Sequence, residues 1–364
     1  MRSIVIGGGI SGCAVAAALR GTPLDQEVLV LEQEVATPRY DAGVLLNPTG
    51  LGALEAIAPE YRWRSEGHSI HGVSLRSASG VQYSQTRIDQ CIAVPSSRFI
   101  RMLRDAAPGA AVLEGWCLAG LTRSQDGSIT HAQLADGSSL EADAFFACDG
   151  AHSRARHVLF PEMHLSDVVI EEVMGVATSP SLARRLGHLF HKFHDEEGGL
   201  AVELLPLGDT EVACFLQFDP SRWAPRTTCP TGLRAFALER ALGWAHEVRE
   251  ALELIDYTRC RVWQARALPP LDELNVANAA LVGDAGHAAL PFMSQVPNDA
   301  LADAALLSNL LHRVPDRGGV IAALQRYSEL RWPQHRRTFQ EGRQLCREFL
   351  DPVPCSGPKL PLVA

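Results

Sequence analysis

Apolar positions in this chain come first as short unbroken runs and then as helical stripes. Residues 2–6, Arg-Ser-Ile-Val-Ile, have no polar alternation and predict a short strand buried on both faces. Residues 7–12 are glycine-rich and predict a turn. Residues 13–20 are small and apolar, as suits a helix packed closely on a sheet. Residues 27–32, Glu-Val-Leu-Val-Leu-Glu, predict a second parallel strand and complete a βαβ unit. Further strands are predicted over 69–75, 112–121, 131–134 and 144–148, with a hairpin turn at Asp136-Gly137. Between about 167 and 265 the pattern changes. Strands are expected at 168–176, 200–205, 211–218 and 259–263, a turn at Gly208-Asp209, and one helix over 231–254. A short buried strand at 280–282 precedes helices over 299–312 and 319–349. The proline-rich end, 351–364, reads as a flexible tail.

Composition narrows the function classes. Apolar residues make up 46% and charged residues 21%, which is ordinary for a globular protein. A net charge of -9 argues against a partner of nucleic acid or anionic membrane. Lysine occurs only at Lys192 and Lys359, and the preference for arginine and alanine fits a GC-rich bacterial genome. Nine scattered cysteines without a C-x-x-C pair suggest reduced thiols, no zinc site and a cytoplasmic location. Glycines interrupt the N-terminal apolar run, so it reads as strand and helix rather than as a secretion signal. No run reaches the ~18 apolar residues of a membrane span.

Three turns carry the candidate chemistry. The first, Gly7-Gly8-Gly9-Ile10-Ser11-Gly12, fits G-x-G-x-x-G between strand and helix. Gly7 permits the turn, Gly9 lets backbone approach a pyrophosphate, and Gly12 lets the helix sit near the strand. The helix start then offers N–H groups to phosphate. Glu32, 20 residues after Gly12, can accept the hydroxyls of an adenosine ribose. The second turn is Cys148-Asp149-Gly150, with Arg156 following. The third is Gly283-Asp284, followed by Pro291 and Asn298. Each ends a short apolar strand. An isolated Asp284 could be only a helix cap.

In these three motifs, taken in order, the sequence resembles the class A flavin monooxygenases, the para-hydroxybenzoate hydroxylase-like family, from Ile4 to about Arg343. The resemblance implies an α/β fold: a Rossmann-like FAD-binding domain, an inserted α+β substrate domain and C-terminal helices. The FAD-binding part would comprise 1–67, 99–166 and 266–350, and the substrate part 68–98 and 167–265. Gly7, Gly9, Ser11, Gly12 and Glu32 would hold the ADP half of FAD. Asp149 would serve FAD and NAD(P)H, and Gly283 and Asp284 the ribityl chain, with Pro291 and Asn298 beside the flavin. Ala42-Gly43-Val44-Leu45 matches a segment next to the flavin. Arg98, after Pro95-Ser96-Ser97, would touch the phosphate or ribityl region, and Leu118 would give a backbone contact to adenine.

The activity implied is hydroxylation or epoxidation of a small aromatic or polyketide-like metabolite. NADPH or NADH donates electrons, and O2 reacts through a flavin C4a-hydroperoxide. Two alternatives stay open: an O2-independent reductase of the geranylgeranyl-reductase type, and a low-turnover flavin-binding partner protein. A homodimer is also left open. The chain departs from the family at Ser294 and Val296, where glycines are usual, at Asp41, where some members carry arginine, and at Ala302, where an acid is usual. His68, His71, His188, His191 and His194 lie in or near the substrate part. Of these, His191, together with Gln217, is expected on strands facing the flavin as a polar pocket group. Trp223, Trp244 and Trp263 are expected to pack the core.

Overall fold

The computed structural model describes residues 1–35, 41–292, 295–354 and 357–358. Three sheets organise it. The first has six strands in the order Asn275–Val276, Ala279–Leu281, Ala144–Ala147, Arg2–Ile6, Glu27–Glu32, Ala110–Glu114. All its pairings are parallel except the Asn275–Val276 edge. Ile4, Val5 and Ile6 are buried, as a central strand covered on both faces requires. The helix Ile10–Ala18 lies against this sheet, and its Cys13 to Ala18 run is wholly buried. Small side chains let it sit that near.

The second sheet has eight strands, ordered Arg261–Ala265, Ile170–Thr178, Glu211–Phe218, Leu200–Pro206, Leu189–His194, His68–Ser77, Gln82–Pro95, Gly43–Leu46. It is antiparallel except where Leu189–His194 runs parallel to His68–Ser77. One face packs on the helices Pro180–Leu186, Pro230–Arg240 and His246–Leu254 through a core that includes Phe193, Leu216 and Phe218. A third, three-stranded sheet is Leu118–Arg123, Ile129–Leu134, Ser139–Glu141.

Some expected elements differ in detail. The strand expected over 112–121 is two strands, Ala110–Glu114 and Leu118–Arg123, because Gly115 turns the chain at φ +82. The helix expected over 231–254 is likewise two, broken at Gly243, whose φ of +83 no helix accommodates. The last two helices run longer than expected, at Val296–Leu311 and Arg317–Leu350. Of the tail, Val353 N–H donates to the Glu196 carbonyl at 2.9 Å, so this part is docked. Cys355, Ser356 and 359–364 lie outside the described residues. The eight described cysteines are free. No described helix is long and apolar enough to cross a membrane.

Asn278 joins the first and third sheets. Its Oδ1 accepts from Ile129 N–H at 2.8 Å, and its Nδ2 donates to the Ile129 and Asp143 carbonyls at 2.9 Å. The residue is wholly buried, so no water replaces a lost partner. Asn278→Ala should cost about 2–4 kcal/mol, mostly from the orphaned Ile129 amide and the two carbonyls. A lowered denaturation midpoint in urea is the check. An unchanged midpoint would remove Asn278 from this account.

Candidate active site

The first turn is built by close approach. Gly7 has φ +103, and a Cβ there would lie 2.4 Å from the Cys148 carbonyl oxygen. A Cβ on Gly12 would lie 1.8 Å from the Gly7 carbonyl oxygen. Gly9 is different: nothing lies within 4 Å of where its Cβ would be, so the space in front of it is open. No side chain caps the helix Ile10–Ala18, so its first N–H groups face that space unsatisfied by protein. Gly9, Ile10 and Ser11 line a cavity of about 470 Å³. Glu32 Oε2 accepts from Gly8 N–H at 2.8 Å and Oε1 from Glu34 N–H at 2.9 Å. Each oxygen keeps a further lone pair for a hydroxyl donor.

The other two turns meet the first. Ser153 caps the helix Arg154–Leu159, its Oγ accepting from Arg156 N–H at 2.8 Å, and Asp149 backs it by accepting from Ser153 Oγ at 2.5 Å and Ala155 N–H at 3.0 Å. The buried Arg156 guanidinium donates to the Ala151 carbonyl at 2.5 Å and the Ala285 carbonyl at 2.9 Å, locking the second turn to the third. Gly283 needs its positive φ of +61, and a Cβ there would strike Ser11 Oγ. Its N–H donates to Asp303 Oδ2 at 2.9 Å. Asp284 lines the cavity, and its Oδ1 is buried with no protein partner. Burial raises its pKa, against the pull of His287 and Arg156.

Below Asp284 lies a buried ionic cluster. Asp303 Oδ2 meets His287 Nε2 at 2.6 Å, and Oδ1 accepts from Arg331 Nε at 2.5 Å. Burial opposes ionisation of Asp303, but His287 and Arg331 outweigh it and hold the carboxyl well below its ordinary range. Burial likewise opposes charge on His287, and the Asp303 carboxylate overrides it, raising that pKa. His335, stacked on His287 at 3.8 Å between centroids, is pushed down to about 3 by burial and by the neighbouring His287 charge. His287, Asp303 and His335 have the makings of a cation site, but Arg331 already supplies positive charge to Asp303.

The far wall is the second face of the eight-stranded sheet. Glu172 and Met174, Glu203 and Leu205, Phe190, Phe215 and Trp263 line it at alternating positions. Val44, Leu45, Pro291, Val296 and Pro297 complete the wall. Behind Glu172 and Glu203 runs a buried chain of bonds. Lys192 Nζ donates to Glu203 Oε1 at 2.7 Å and to Gln217 Oε1 at 2.8 Å, and Gln217 Nε2 donates to Glu172 Oε1 at 2.5 Å. Lys192 also sits over the Phe292 and Phe349 rings, 5.5 and 6.0 Å from their centroids. Burial, helped by the Glu203 charge, pushes the Glu172 carboxyl up to about 8.

The remaining expected residues take the following places. His191 does not face the cavity. Its neighbours Phe190 and Lys192 point that way, and the strand's alternation turns His191 toward Phe193 and the Leu186 carbonyl, 3.2 Å away. Burial lowers its pKa. Gln217 is on the cavity-facing side but fully buried behind the two acids. Trp263 lines the cavity rather than only packing the core, whereas Trp244 is in the core. Arg98 is half-exposed and bonded to Glu66 at 2.8 Å. Leu118 starts the third sheet. Asn298 accepts from Asn47 N–H and donates to the Leu45 carbonyl, both at 3.0 Å, tying the helix Val296–Leu311 to the strand Gly43–Leu46 and the residue after it. Ser294 lies outside the described residues. The sequence reading missed Glu172 and Glu203, whose signal was charge within otherwise apolar strands.

The comparisons agree with this architecture. Residues 1–341 match the model of the FAD binding domain family. The chain belongs to that family. Its class A monooxygenase character is shared with curated relatives. It is 25% identical over 368 residues to the 3-amino-4-hydroxybenzoate 2-monooxygenase PtmB3 of Streptomyces platensis, covering 96% of this chain and 88% of the relative. It is 26% identical over 358 residues to a FAD-dependent urate hydroxylase of Klebsiella oxytoca, covering 95% and 90%. Among solved structures, Klebsiella pneumoniae HpxO complexed with FAD and uric acid superposes with TM-score 0.82 at 22% identity, covering 96% of this chain and 89% of that one. Pseudomonas aeruginosa PqsL in complex with 2-aminobenzoylacetate gives 0.79 at 22%, covering 96% and 97%. This flavoprotein fold therefore extends over nearly the whole chain. FAD is its cofactor, and the open face of Gly9, the uncapped helix and the orphaned Asp284 Oδ1 fit it.

Two expectations follow. Gly9→Val should leave the apoprotein's melting temperature nearly unchanged but weaken FAD binding by at least ~100-fold, whereas Gly12→Ala should lower apoprotein stability by about 2 kcal/mol or more. Flavin titration and thermal melts of both variants check this, and a Gly9→Val protein that keeps FAD would refute it. The second concerns pH. The folded protein holds the Glu172 proton up to about pH 8, while the unfolded chain releases it near its ordinary value of 4.5. Wild-type stability should therefore fall between those values as pH rises, relative to Glu172→Gln. The groups facing Glu172 are Glu203, Lys192 and Gln217. Parallel urea melts at pH 5 and pH 8 should show Glu172→Gln gaining on wild type by about 1 kcal/mol or more at the higher pH.

Proposed function

We propose that this flavoprotein is an NAD(P)H- and O2-dependent monooxygenase that hydroxylates a small aromatic metabolite. The observation that carries the reading is the single cavity: Gly9, Ser11 and Asp284 line it together with Phe190, Phe215 and Trp263. A cofactor held at the three turns would thus share an enclosure with an aromatic ligand lying on the sheet face. The names of the curated relatives, which act on 3-amino-4-hydroxybenzoate and urate, support a ring substrate.

In this reading Gly7, Gly9, Ser11 and Gly12 hold the pyrophosphate, Glu32 the adenosine ribose, and Asp284 a ribityl hydroxyl. Gly283 lets backbone come near, and Pro291 flanks the ring. Leu118 and Arg98 serve adenine and phosphate, and Asp149 orders the second turn. FAD held there would supply the redox chemistry that links a nicotinamide hydride donor and O2 to an electrophilic oxygen. The chain's own part is placement and exclusion of water. Met174, Phe190, Leu205, Phe215 and Trp263 give a dry wall, which protects a reactive oxygen species from hydrolysis. Glu172, protonated near neutral pH, can take up or return a proton as a ring substituent changes charge.

Purified holoprotein should oxidise NADH or NADPH in air faster with an aromatic substrate than without, and form no hydroxylated product under argon. Mass spectrometry with labelled oxygen gas should show one oxygen atom in the product. Product formed equally under argon would favour the reductase alternative and sink this reading.

A further inference from the structure

The ionisable side chains described around the cavity are all acids. Glu172, Glu203 and Asp284 line it, and no described lining residue is lysine, arginine or histidine. Asp284 belongs with the three cofactor turns. Glu172 and Glu203 stand on the sheet face, among Met174, Phe190, Phe215 and Trp263.

Both acids are engaged on one side only. Glu203 Oε1 takes Lys192, and Glu172 Oε1 takes Gln217. Neither Oε2 has a protein donor among the described residues, and neither is sealed inside the protein. The two residues are nonetheless only 3% and 9% exposed. Glu203 Oε2 thus keeps accepting capacity that no described protein donor meets, and Glu172 Oε2, the oxygen left for its proton, gains the same capacity once that proton leaves. Such oxygens are costly unless a ligand donor or water reaches them. Lys192 cannot leave to meet a ligand, because it is held by Glu203, by Gln217 and by the Phe292 and Phe349 rings.

We propose, resting on the monooxygenase reading above, that Glu172 and Glu203 are specificity residues and that the aromatic substrate carries an amino group bound between their Oε2 atoms. A primary amine brings donors for both oxygens. If protonated, it also supplies the positive charge that the lining lacks. A ring carrying only a carboxylate would meet acceptors with no cation to hold it. Glu172 keeps its proton to about pH 8, and Lys192 offsets Glu203, so the pair of acids carries no net charge of its own. An arriving ammonium stabilises the Glu172 carboxylate.

The test is a matched pair of probes on the FAD-loaded protein. Benzylamine and benzoate share a ring and differ in charge and donor character. Their binding is measured by calorimetry and by the change in the bound flavin's visible spectrum. Benzylamine should bind at least ~10-fold more tightly than benzoate. Glu172→Gln should bring the two within about threefold of each other while leaving FAD uptake unchanged, since a neutral amide cannot become a carboxylate. If that variant fails to fold, the wild-type ranking alone decides. Benzoate binding as tightly as benzylamine, or neither probe binding at millimolar concentration, would overturn the assignment and leave the monooxygenase reading standing. A protein that takes up no FAD at all would overturn both.

Discussion

Asp303 has no exposed surface, yet its carboxylate is ionised, and such a charge must be met by partners on every side. Those partners set the geometry of the site. Arg331 comes from the long C-terminal helix, His287 from the short helix after the third turn, and the Gly283 amide from the turn itself. One side chain therefore fixes the turn against two helices and aims Asp284 into the cavity. Removing it would strand a buried guanidinium and an imidazolium as well as free a turn. The usual cost of breaking such a buried pair, about 3–5 kcal/mol, would fall on the part of the fold that must be rigid. Tyr327 packs beside this cluster, donating to the Leu281 carbonyl at 3.1 Å, and so holds the preceding strand to the same helix.

The same physics recurs on the opposite wall with a different outcome. Lys192 balances Glu203, but Glu172 is left with a neutral amide for its partner. The cluster beneath the turns thus has a fully compensated carboxylate, while the sheet wall carries, beside the paired Glu203, a carboxyl that keeps its proton. The compensated one anchors structure. The uncompensated one can change charge when something enters, which is the property a substrate-facing group needs. A site with both kinds separates holding the cofactor turns from responding to the ligand.

The dinucleotide turn, the helix after it and the strands at 2–6 and 27–32 were legible in the sequence because local chemistry dictates them. Glycine at 7 and 12 is demanded by contacts under 3 Å, and that demand is written into the spacing. The substrate-facing wall was not legible in the same way. In Ile170–Thr178 two acids are adjacent, Glu171 and Glu172, and only strand register turns the second inward. Register depends on pairing with Glu211–Phe218, a long-range fact that periodicity does not carry. The misplacement of His191 has the same origin: a one-residue shift in facing exchanges it for Phe190 or Lys192. The breaks at Gly115 and Gly243 were missed because a lone glycine in an apolar run is weak punctuation until its φ is known.

Asp41 shows how a departure from the family pattern can be absorbed. Its carboxylate accepts from Ser96 Oγ at 2.7 Å, Ser97 N–H at 3.1 Å and Ser97 Oγ at 2.7 Å, at the start of the helix Ser96–Asp105. An anion is favoured at a helix N-terminus, where an arginine would be disfavoured. The acid therefore staples the cavity segment Gly43–Leu46 to the helix that carries Arg98, with Arg259 3.8 Å away on the other side. Serines at 96 and 97 and the acid at 41 form one hydrogen-bonded unit, and an arginine at 41 would lose all three of these bonds because it has no acceptor. Val296 is absorbed similarly: it begins the helix Val296–Leu311 and adds its side chain to the apolar cavity wall. Across from it, Glu172 and Glu203 of the eight-stranded sheet line the same cavity.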